Sequence, residues 1–122
     1  MRLILLSCQL FVWSLAEEYY DRRYDYFEVD YLIHNPRLLM TYMNCFLDRG
    51  PCPPVGKELK RLLPEVVKTR CQKCSPRQRR FARKVIDAFN KYLPSSHDDL
   101  KKKLDPEKKY YEAFEKSLAD AL

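Results

Sequence analysis

The chain is poor in glycine and histidine, and each shortage argues against one class of functional site. Its 122 residues contain two glycines, Gly50 and Gly56, too few for the glycine-rich loop that cradles phosphate groups. Its two histidines, His34 and His97, lie far apart, and no serine or cysteine accompanies either in a pattern typical of nucleophilic catalysis. Runs of alternating β-branched residues are also absent, which speaks against strands and favours an all-α fold.

The first sixteen residues differ in kind from those that follow. After a single arginine, residues 3–13 carry no charge, and the small residues Ser14 and Ala16 stand three and one positions before Glu17. A signal peptidase accepts this small-x-small arrangement. The run is shorter than the ~20 apolar residues that span a membrane. We therefore predict that residues 1–16 are a signal peptide and that the protein is secreted into the extracellular space.

Residues 17–122 would then form the mature protein. They are predicted to be a single domain, since no repeat, linker or low-complexity block divides them. Cys8 leaves with the signal peptide, so the mature chain keeps four of the five cysteines, and an even number suits an oxidising compartment. No second apolar run is long enough to span a membrane, so we expect no stable membrane insertion.

Apolar residues recur with the period of a helix from about Val29 to the end of the chain. Residues 17–27 lack that period, and we expect them to form an extended arm. A helix is predicted in "NPRLLMTYMNCFLDRG", with Pro36 in its first turn and Gly50 at its end. The next helix is predicted in "PVGKELKRLLPEVVKTR", where Pro64 should kink it or separate its last turn.

Residues that cap helices mark the starts of the remaining three. Ser75 and Gln78 in "SPRQ" form a capping-box pattern that predicts a long helix after them. The segment "PSSHDDLKKKL" is predicted to be a short capped helix. The last helix is predicted to begin with Asp105 as its cap and Pro106 at its first position, which places Tyr110 on its inner side. The sequence thus predicts a compact all-α domain of about six short helices.

The four cysteines of the mature chain form two pairs of unequal spacing. Six residues separate Cys45 from Cys52 in "CFLDRGPC", and two separate Cys71 from Cys74 in "CQKC". Structural zinc sites usually present their ligands as close pairs, and the first pair is too wide, so we predict no metal site. A thioredoxin-like dithiol normally accompanies a βαβ pattern, which is absent here. Two structural disulfides are therefore predicted, with three pairings open on the residues alone.

A resemblance to a known family covers essentially the whole mature chain. The spacing Cys45-x6-Cys52-x18-Cys71-x2-Cys74 stands among the segments "YDYFEVD", "NCFLDRGPC", "GKELKRLLPE", "KTRCQKC" and "LDPEKKY". In these features the chain resembles the insect chemosensory proteins, the OS-D-like family. The resemblance implies six helices around an apolar channel, with disulfides between sequence neighbours, Cys45–Cys52 and Cys71–Cys74. It also implies a soluble carrier of small hydrophobic molecules. The residues themselves form no catalytic constellation, so we expect no enzymatic activity and no cofactor.

The predicted helices place thirteen apolar side chains on inward faces. In a small helical protein most such residues form the core, and the resemblance implies that some of them line a ligand channel between helices. Tyr42 in "YMNC" matches the family's tyrosine before the first cysteine, and its hydroxyl could orient the polar head of a ligand. The candidate ligand-binding residues are Leu32, Leu38, Leu39, Tyr42, Met43, Phe46, Leu62, Val66, Val67, Val85, Ile86, Phe89 and Phe114.

His97 marks a departure from the family, many of whose members have a tryptophan in the fifth helix. If that tryptophan covers the channel, we expect His97 to be a smaller and more polar residue of the lid. The only tryptophan of the chain, Trp13, lies in the predicted signal peptide, so the mature protein should contain none.

The function that these features predict is that of a secreted, monomeric carrier of small apolar ligands. Long-chain fatty acids, alcohols, esters or semiochemicals are the expected cargo, and a receptor or membrane protein is an expected partner for delivery. One alternative is a secreted signalling or developmental factor that binds a protein receptor through its basic surface, and another is a dithiol enzyme that uses "CQKC". The basic clusters "RQRRFARK" and "KKKL" are read as solvated helix faces, because 17 acidic residues accompany the 23 basic ones. No nucleic-acid partner is therefore predicted.

Overall fold

The computed structural model describes residues 19, 20 and 29–121. The predicted signal peptide and nearly all of the predicted arm lie outside these residues. The described part of the chain contains helices and no strand, which confirms the all-α prediction. We number its six helices α1 (Val29–Ile33), α2 (Pro36–Phe46), α3 (Pro54–Lys68), α4 (Pro76–Tyr92), α5 (Pro94–Leu104) and α6 (Tyr111–Ser117).

The consecutive helices α3 and α4 pack mainly against other helices rather than against each other. Helix α2 packs against α1, α3 and α5, and α3 packs also against α5 and α6, whereas α4 packs against α1 and α5. Two clusters of buried side chains result. The first surrounds Leu39, Met43 and Phe46 of α2, and the second surrounds Val67 of α3 and Phe114 of α6. The space between α3 and α4 lies between these clusters.

The predicted capping box at the start of α4 is confirmed. The backbone N–H of Gln78 donates to Ser75 Oγ at 3.2 Å, and the N–H of Ser75 donates to Gln78 Oε1 at 3.0 Å. Two backbone donors of the first turn are thereby satisfied. Helix α2 is capped in a similar way, since the N–H of Leu38 donates to Asn35 Oδ1. Helix α5 differs from its prediction, because it begins at Pro94 without a side-chain cap.

The last helix begins later than predicted, and its inner face changes accordingly. Asp105 is buried, and its carboxylate accepts the backbone N–H groups of Lys109, Tyr110 and Tyr111 at 2.8–2.9 Å. Pro106 therefore lies in a turn that this carboxylate closes, and α6 starts at Tyr111. The expected inner residue, Tyr110, is 40% exposed, and its neighbour Tyr111 is buried instead.

The end of α2 differs from the sequence prediction, and α3 continues past Pro64 without a separate last turn. Helix α2 ends at Phe46, before Gly50, and the chain turns at Asp48, whose φ of 59° lies in the left-handed region. Asp is among the few residues other than glycine that visit this region readily. Helix α3 runs without a break through Pro64. Apolar side chains face inward on both sides of Pro64, so burial offsets the hydrogen bond that the proline removes.

Both disulfides join neighbouring cysteines, and the pairing that the resemblance implied is confirmed. Cys45 is bonded to Cys52 with their Cα atoms 4.8 Å apart, and Cys71 is bonded to Cys74 with their Cα atoms 5.1 Å apart. The first bridge ties the end of α2 to the approach to α3. The second closes the turn from α3 into α4, so both ends of α3 are fixed by a short covalent loop.

One of the two glycines lets α3 approach α2 closely. A Cβ atom at Gly56 would lie 3.1 Å from both Tyr42 Cε1 and Pro53 Cδ, which is tighter than ordinary contact. Tyr42 is itself buried, so its ring has little room to yield. Gly56 thus sets the distance between the first turn of α3 and the ring of Tyr42.

We predict that Gly56→Ala lowers the free energy of unfolding by about 1 kcal/mol. The overpacking at Tyr42 should outweigh the roughly 1 kcal/mol that alanine gains in helix propensity. Gly50→Ala is the matched control, since its Cβ would meet only Asn44 Cβ at 3.5 Å and its φ is not positive. Urea titrations of both variants measure the difference. A Gly56→Ala protein as stable as Gly50→Ala would contradict the close approach.

Candidate ligand-binding site

A cavity of about 110 Å³ lies between α3 and α4. Its walls are almost entirely carbon, supplied by Leu, Val, Ile and Phe side chains. The lining residues Leu59, Leu62 and Leu63 of α3 are only half-buried, as are Phe81 and Val85 of α4. The cavity therefore lies close to the surface along the gap between these helices. An apolar cavity of ~150 Å³ can stay free of water and admit a small apolar molecule, so this volume is of a useful size.

Ten of the thirteen candidate residues line this cavity. They come from five of the six helices. Sequence periodicity identifies the apolar face of each helix but does not show that these faces meet at one cavity. The ten are Leu32, Tyr42, Phe46, Leu62, Val66, Val67, Val85, Ile86, Phe89 and Phe114.

The other three candidates, Leu38, Leu39 and Met43, lie outside the lining. Leu39 and Met43 are fully buried in the cluster around α2, and Leu38 packs against the same cluster. The apolar face of α2 is broad, and only the part that carries Tyr42 and Phe46 faces the cavity. The remainder of that face forms ordinary core, which a hydrophobic period does not distinguish from a ligand wall.

The cavity also has lining residues that the list of candidates omitted. Leu59, Leu63, Phe81 and Ala82 lie at the helical spacing of α3 and α4, so periodicity could have identified them. The others are Tyr20, Cys71, Cys74, Gln78, Leu100, Leu104 and Tyr111. Tyr111 faces inward because α6 starts later than predicted, and Tyr20 lies in the predicted arm, whose sequence has no helical period.

A row of six aromatic rings runs along one side of the cavity. In order, the rings are those of Tyr42, Phe46, Phe89, His97, Tyr111 and Phe114, with successive centroids 6.3, 6.5, 5.6, 5.5 and 5.5 Å apart. Most of these pairs meet edge to face, an arrangement that the ring quadrupoles favour. All except His97 line the cavity.

His97 is a buried link in this row, which corrects the expectation that it forms a lid. Its side chain is 1% exposed, and it stands behind the cavity wall between Phe89 and Tyr111. Its Nδ1 lies 2.7 Å from Asn90 Oδ1, and its Nε2 lies 2.6 Å from the hydroxyl of Tyr111. A carbonyl oxygen only accepts, so Nδ1 carries the proton and Nε2 accepts from the Tyr111 hydroxyl. His97 thus fixes the ring of Tyr111 in the wall.

The polar side chains of the lining are uncharged in their surroundings. Burial raises the pKa of Tyr42 and of Tyr111 above that of an exposed phenol. The amide of Gln78 is engaged at the start of α4, where Oε1 accepts from Ser75 and Nε2 donates to the carbonyl of Tyr20 at 3.1 Å. The cavity therefore presents carbon and neutral hydrogen-bonding groups.

The basic cluster of α4 has a structural role at the end of the chain. Arg79 donates to the carbonyl of Cys71 at 2.9 Å, and Arg83 donates to the carbonyls of Leu118 and Ala119 at 2.9 and 2.7 Å. These carbonyls lie at turns and at the end of α6, where helical partners are missing. The two arginines therefore hold the turn after α3 and the end of α6 against α4.

Residues 19, 20 and 29–121 offer neither a metal site nor a membrane-spanning helix. No group of three or more His, Cys, Asp or Glu side chains there could hold a metal ion. Across the same residues, no helix combines the length and the apolar character needed to cross a membrane.

The fold and cavity define a small helical protein with an apolar interior site, and sequence comparison assigns it to a family. The profile of the insect pheromone-binding family, A10/OS-D, matches residues 20–112. The chain belongs to this family, and the resemblance to the OS-D-like chemosensory proteins is confirmed.

Individual relatives match nearly the whole chain. It is 37% identical to ejaculatory bulb-specific protein 3 of Drosophila melanogaster, over 93% of this chain and 91% of that protein. It is 36% identical to allergen Tha p 1 of Thaumetopoea pityocampa, over 95% of this chain and 92% of that protein. Among solved structures, a chemosensory protein in complex with bromo-dodecanol superposes with a TM-score of 0.71 at 35% identity, covering 80% of this chain and 97% of that one.

We predict that His97 makes the protein less stable as the pH falls from 7 towards 4. Burial, and next the charge of Lys101, lowers the pKa of His97 to about 4. In the unfolded chain the pKa is about 6.5, so between these values the unfolded state takes up a proton that the folded state refuses. The free energy of unfolding should drop by about 2 to 3 kcal/mol across this window and then level off for this group.

Urea titrations between pH 7 and 4.5 test this, with His97→Gln and the exposed His34→Gln compared with the wild-type protein. The slope should persist in His34→Gln and flatten in His97→Gln, whatever the absolute stability of that variant. The carboxylate of Asp48 titrates below this window, because hydrogen bonds from Lys103 and Lys60 lower its pKa to about 2. Equal slopes in the two variants would show that His97 is not the group that titrates.

Proposed function

We propose that this protein is a carrier of small hydrophobic molecules, which bind in the cavity between α3 and α4. The observation that carries the proposal is a carbon-lined cavity whose walls come from all six described helices and the arm residue Tyr20. The half-buried leucines of α3 supply apolar surface that a ligand would remove from water. The similarity to a chemosensory protein solved with bromo-dodecanol supports a ligand with a long alkyl chain.

The cargo proposed is a long-chain fatty acid, alcohol, ester or semiochemical. A cavity of about 110 Å³ holds only part of such a chain, so the half-buried side chains of α3 must shift or the ligand must extend along the gap. Burying a chain of ~12 carbons gains roughly 10 kcal/mol, of which association consumes at least ~4 kcal/mol. The remainder corresponds to a dissociation constant of tens of micromolar, and a good polar contact would lower it. Such an affinity suits a protein that must release its cargo.

The proposed setting is extracellular. The chain would be cleaved before Glu17, secreted as a monomer of residues 17–122, and would deliver its ligand to a receptor or membrane protein. We propose no enzymatic role, because the Cys71–Cys74 disulfide is buried at a structural turn, where a partner thiol could not reach it. Intact-mass analysis of the secreted protein tests the cleavage, and a mass that includes Met1 would contradict it. Mass spectrometry of lipid extracted from the same material distinguishes a carrier from a signalling factor that holds no apolar chain.

We predict that Ala82→Trp abolishes binding while the fold is retained. Ala82 lies on α4 and lines the cavity half-buried, so a large side chain there should occupy the space of the ligand. Affinity for the fluorescent apolar probe N-phenyl-1-naphthylamine should fall by about tenfold or more, whereas the melting temperature of the ligand-free protein should stay level or rise.

Ala119→Trp is the control, since Ala119 is exposed at the end of the chain, outside the lining. It should bind the probe as the wild-type protein does. Equal affinity in Ala82→Trp and Ala119→Trp, with both folded, would place the ligand elsewhere and refute the proposal.

A further inference from the structure

One segment of the chain carries charge of a single sign. Residues 66–86, which run from the end of α3 through the disulfide turn into α4, contain eight basic residues and no acidic one. All 17 acidic residues of the chain lie outside this segment and outnumber the basic residues there. The net charge of +6 therefore arises in this segment. Charge of one sign gathered in one place attracts a polyanion, whereas interspersed charges do not.

Half of these basic side chains are exposed and form no ion pair with the described residues. They are Lys68, Arg70, Arg77 and Arg80. Lys73 pairs with Glu65 at 3.0 Å, and both side chains are about half exposed. Lys84 pairs with Asp30 at 3.3 Å, again at the surface. Surface pairs of this kind contribute little to stability, so Lys73 and Lys84 remain available to a stronger anion.

Part of this charge forms a row along α4. Arg77, Arg80 and Lys84 stand at positions i, i+3 and i+7, so they lie on one face of the helix. The three positions span about 10 Å. Lys73 lies in the turn that the second disulfide closes, directly before α4. We call these four residues the basic row. A linear polymer with regularly spaced anionic groups fits a row of this kind.

The basic row begins at the end of α4 where positive charge is unfavourable for the helix. The dipole of a helix makes its N-terminus partly positive, and acidic residues in the first turn stabilise it. The first turn of α4 has no acidic residue and carries Arg77 instead. Nearby, Arg79 donates to the backbone carbonyls of Cys71 and Ser117, which leave its charge uncompensated. The positive charge at this end of α4 thus does not serve the stability of the helix.

We propose that the basic row, with the exposed Lys68 and Arg70 of the same segment, binds a sulfated linear polysaccharide. Sulfate presents tetrahedral oxygens like those of phosphate, and guanidinium groups bind such oxygens two at a time. An anionic membrane fits less well, because residues 66–86 include no exposed large apolar side chain that could anchor the protein in lipid. The interaction goes beyond the cavity and rests only on the extracellular setting proposed above.

Binding to heparin, measured by calorimetry, tests the proposal. The protein of residues 17–122 is used, so that the acidic residues of the arm are present. The dissociation constant should rise about tenfold or more between about 0.05 and 0.2 M NaCl, because binding releases counterions. Heparin stripped of its sulfate groups should bind about tenfold or more weakly.

The double variant Arg77→Glu, Arg80→Glu should bind heparin about tenfold or more weakly than the wild-type protein. Its melting temperature should stay level or rise, because a glutamate in the first turn of α4 suits the helix dipole. The control is Lys57→Glu, Lys102→Glu, which changes the net charge equally at exposed positions of α3 and α5. The control should bind heparin within about threefold of the wild-type protein.

Four results would overturn the proposal. They are equal losses in the two double variants, no binding of heparin by the wild-type protein at about 0.05 M NaCl, equal binding of desulfated heparin, and tighter binding to phosphatidylserine vesicles than to heparin. Both double variants should keep the affinity of the wild-type protein for N-phenyl-1-naphthylamine, since none of the four substituted residues lines the cavity. The polysaccharide site and the carrier function are thereby tested separately.

Discussion

Helix α3 is held at both of its ends, and the cavity depends on that constraint. The Cys45–Cys52 bridge ties the approach to α3 to the end of α2, and the close contact of Gly56 with Tyr42 sets the helix against its neighbour. The Cys71–Cys74 bridge closes the turn that leads into α4. With both ends fixed, α3 packs on α2, α5 and α6 rather than on α4. The side chains of α3 that face α4 are therefore left lining a gap.

Five rings of the aromatic row line the cavity and give it a rigid surface. Rings in mutual contact have few alternative rotamers, and the hydrogen bonds of His97 to Tyr111 and Asn90 remove further freedom at the centre of the row. The half-buried leucines of α3 are less constrained. One wall is thus firm and the other can adjust, which suits a site that admits chains of different length. The same arrangement leaves part of this apolar surface in contact with water. A bound ligand would cover it, and removing that surface from water would favour binding.

Local sequence signals predict a helix well where the residues that fix its ends and its inner face are close together in the sequence. The Ser75–Gln78 box and the apolar period placed α4, and the cysteine spacing with its surrounding segments identified the family. The prediction is wrong where a contact between residues farther apart in the chain determines which side chain faces inward. Asp105 closes a turn and caps α6 from six residues away, so the inner face carries Tyr111 instead of Tyr110. Leu39 and Met43 share their period with Tyr42, yet tertiary packing assigns them to the core. Tyr20 lies in an aperiodic arm, and only its backbone bonds place it at the cavity.

The central claim is that an apolar chain occupies the space between α3 and α4, and methyl NMR tests it most directly. With leucine and valine methyl groups labelled with ¹³C, a titration with 1-dodecanol should shift the signals of Leu59, Leu62, Val66 and Val85, which line the cavity. The signals of Leu39 and Leu118, which are equally apolar but buried outside the lining, should move little. Shifts of equal size in both sets, or shifts confined to Leu39 and Leu118, would contradict the account.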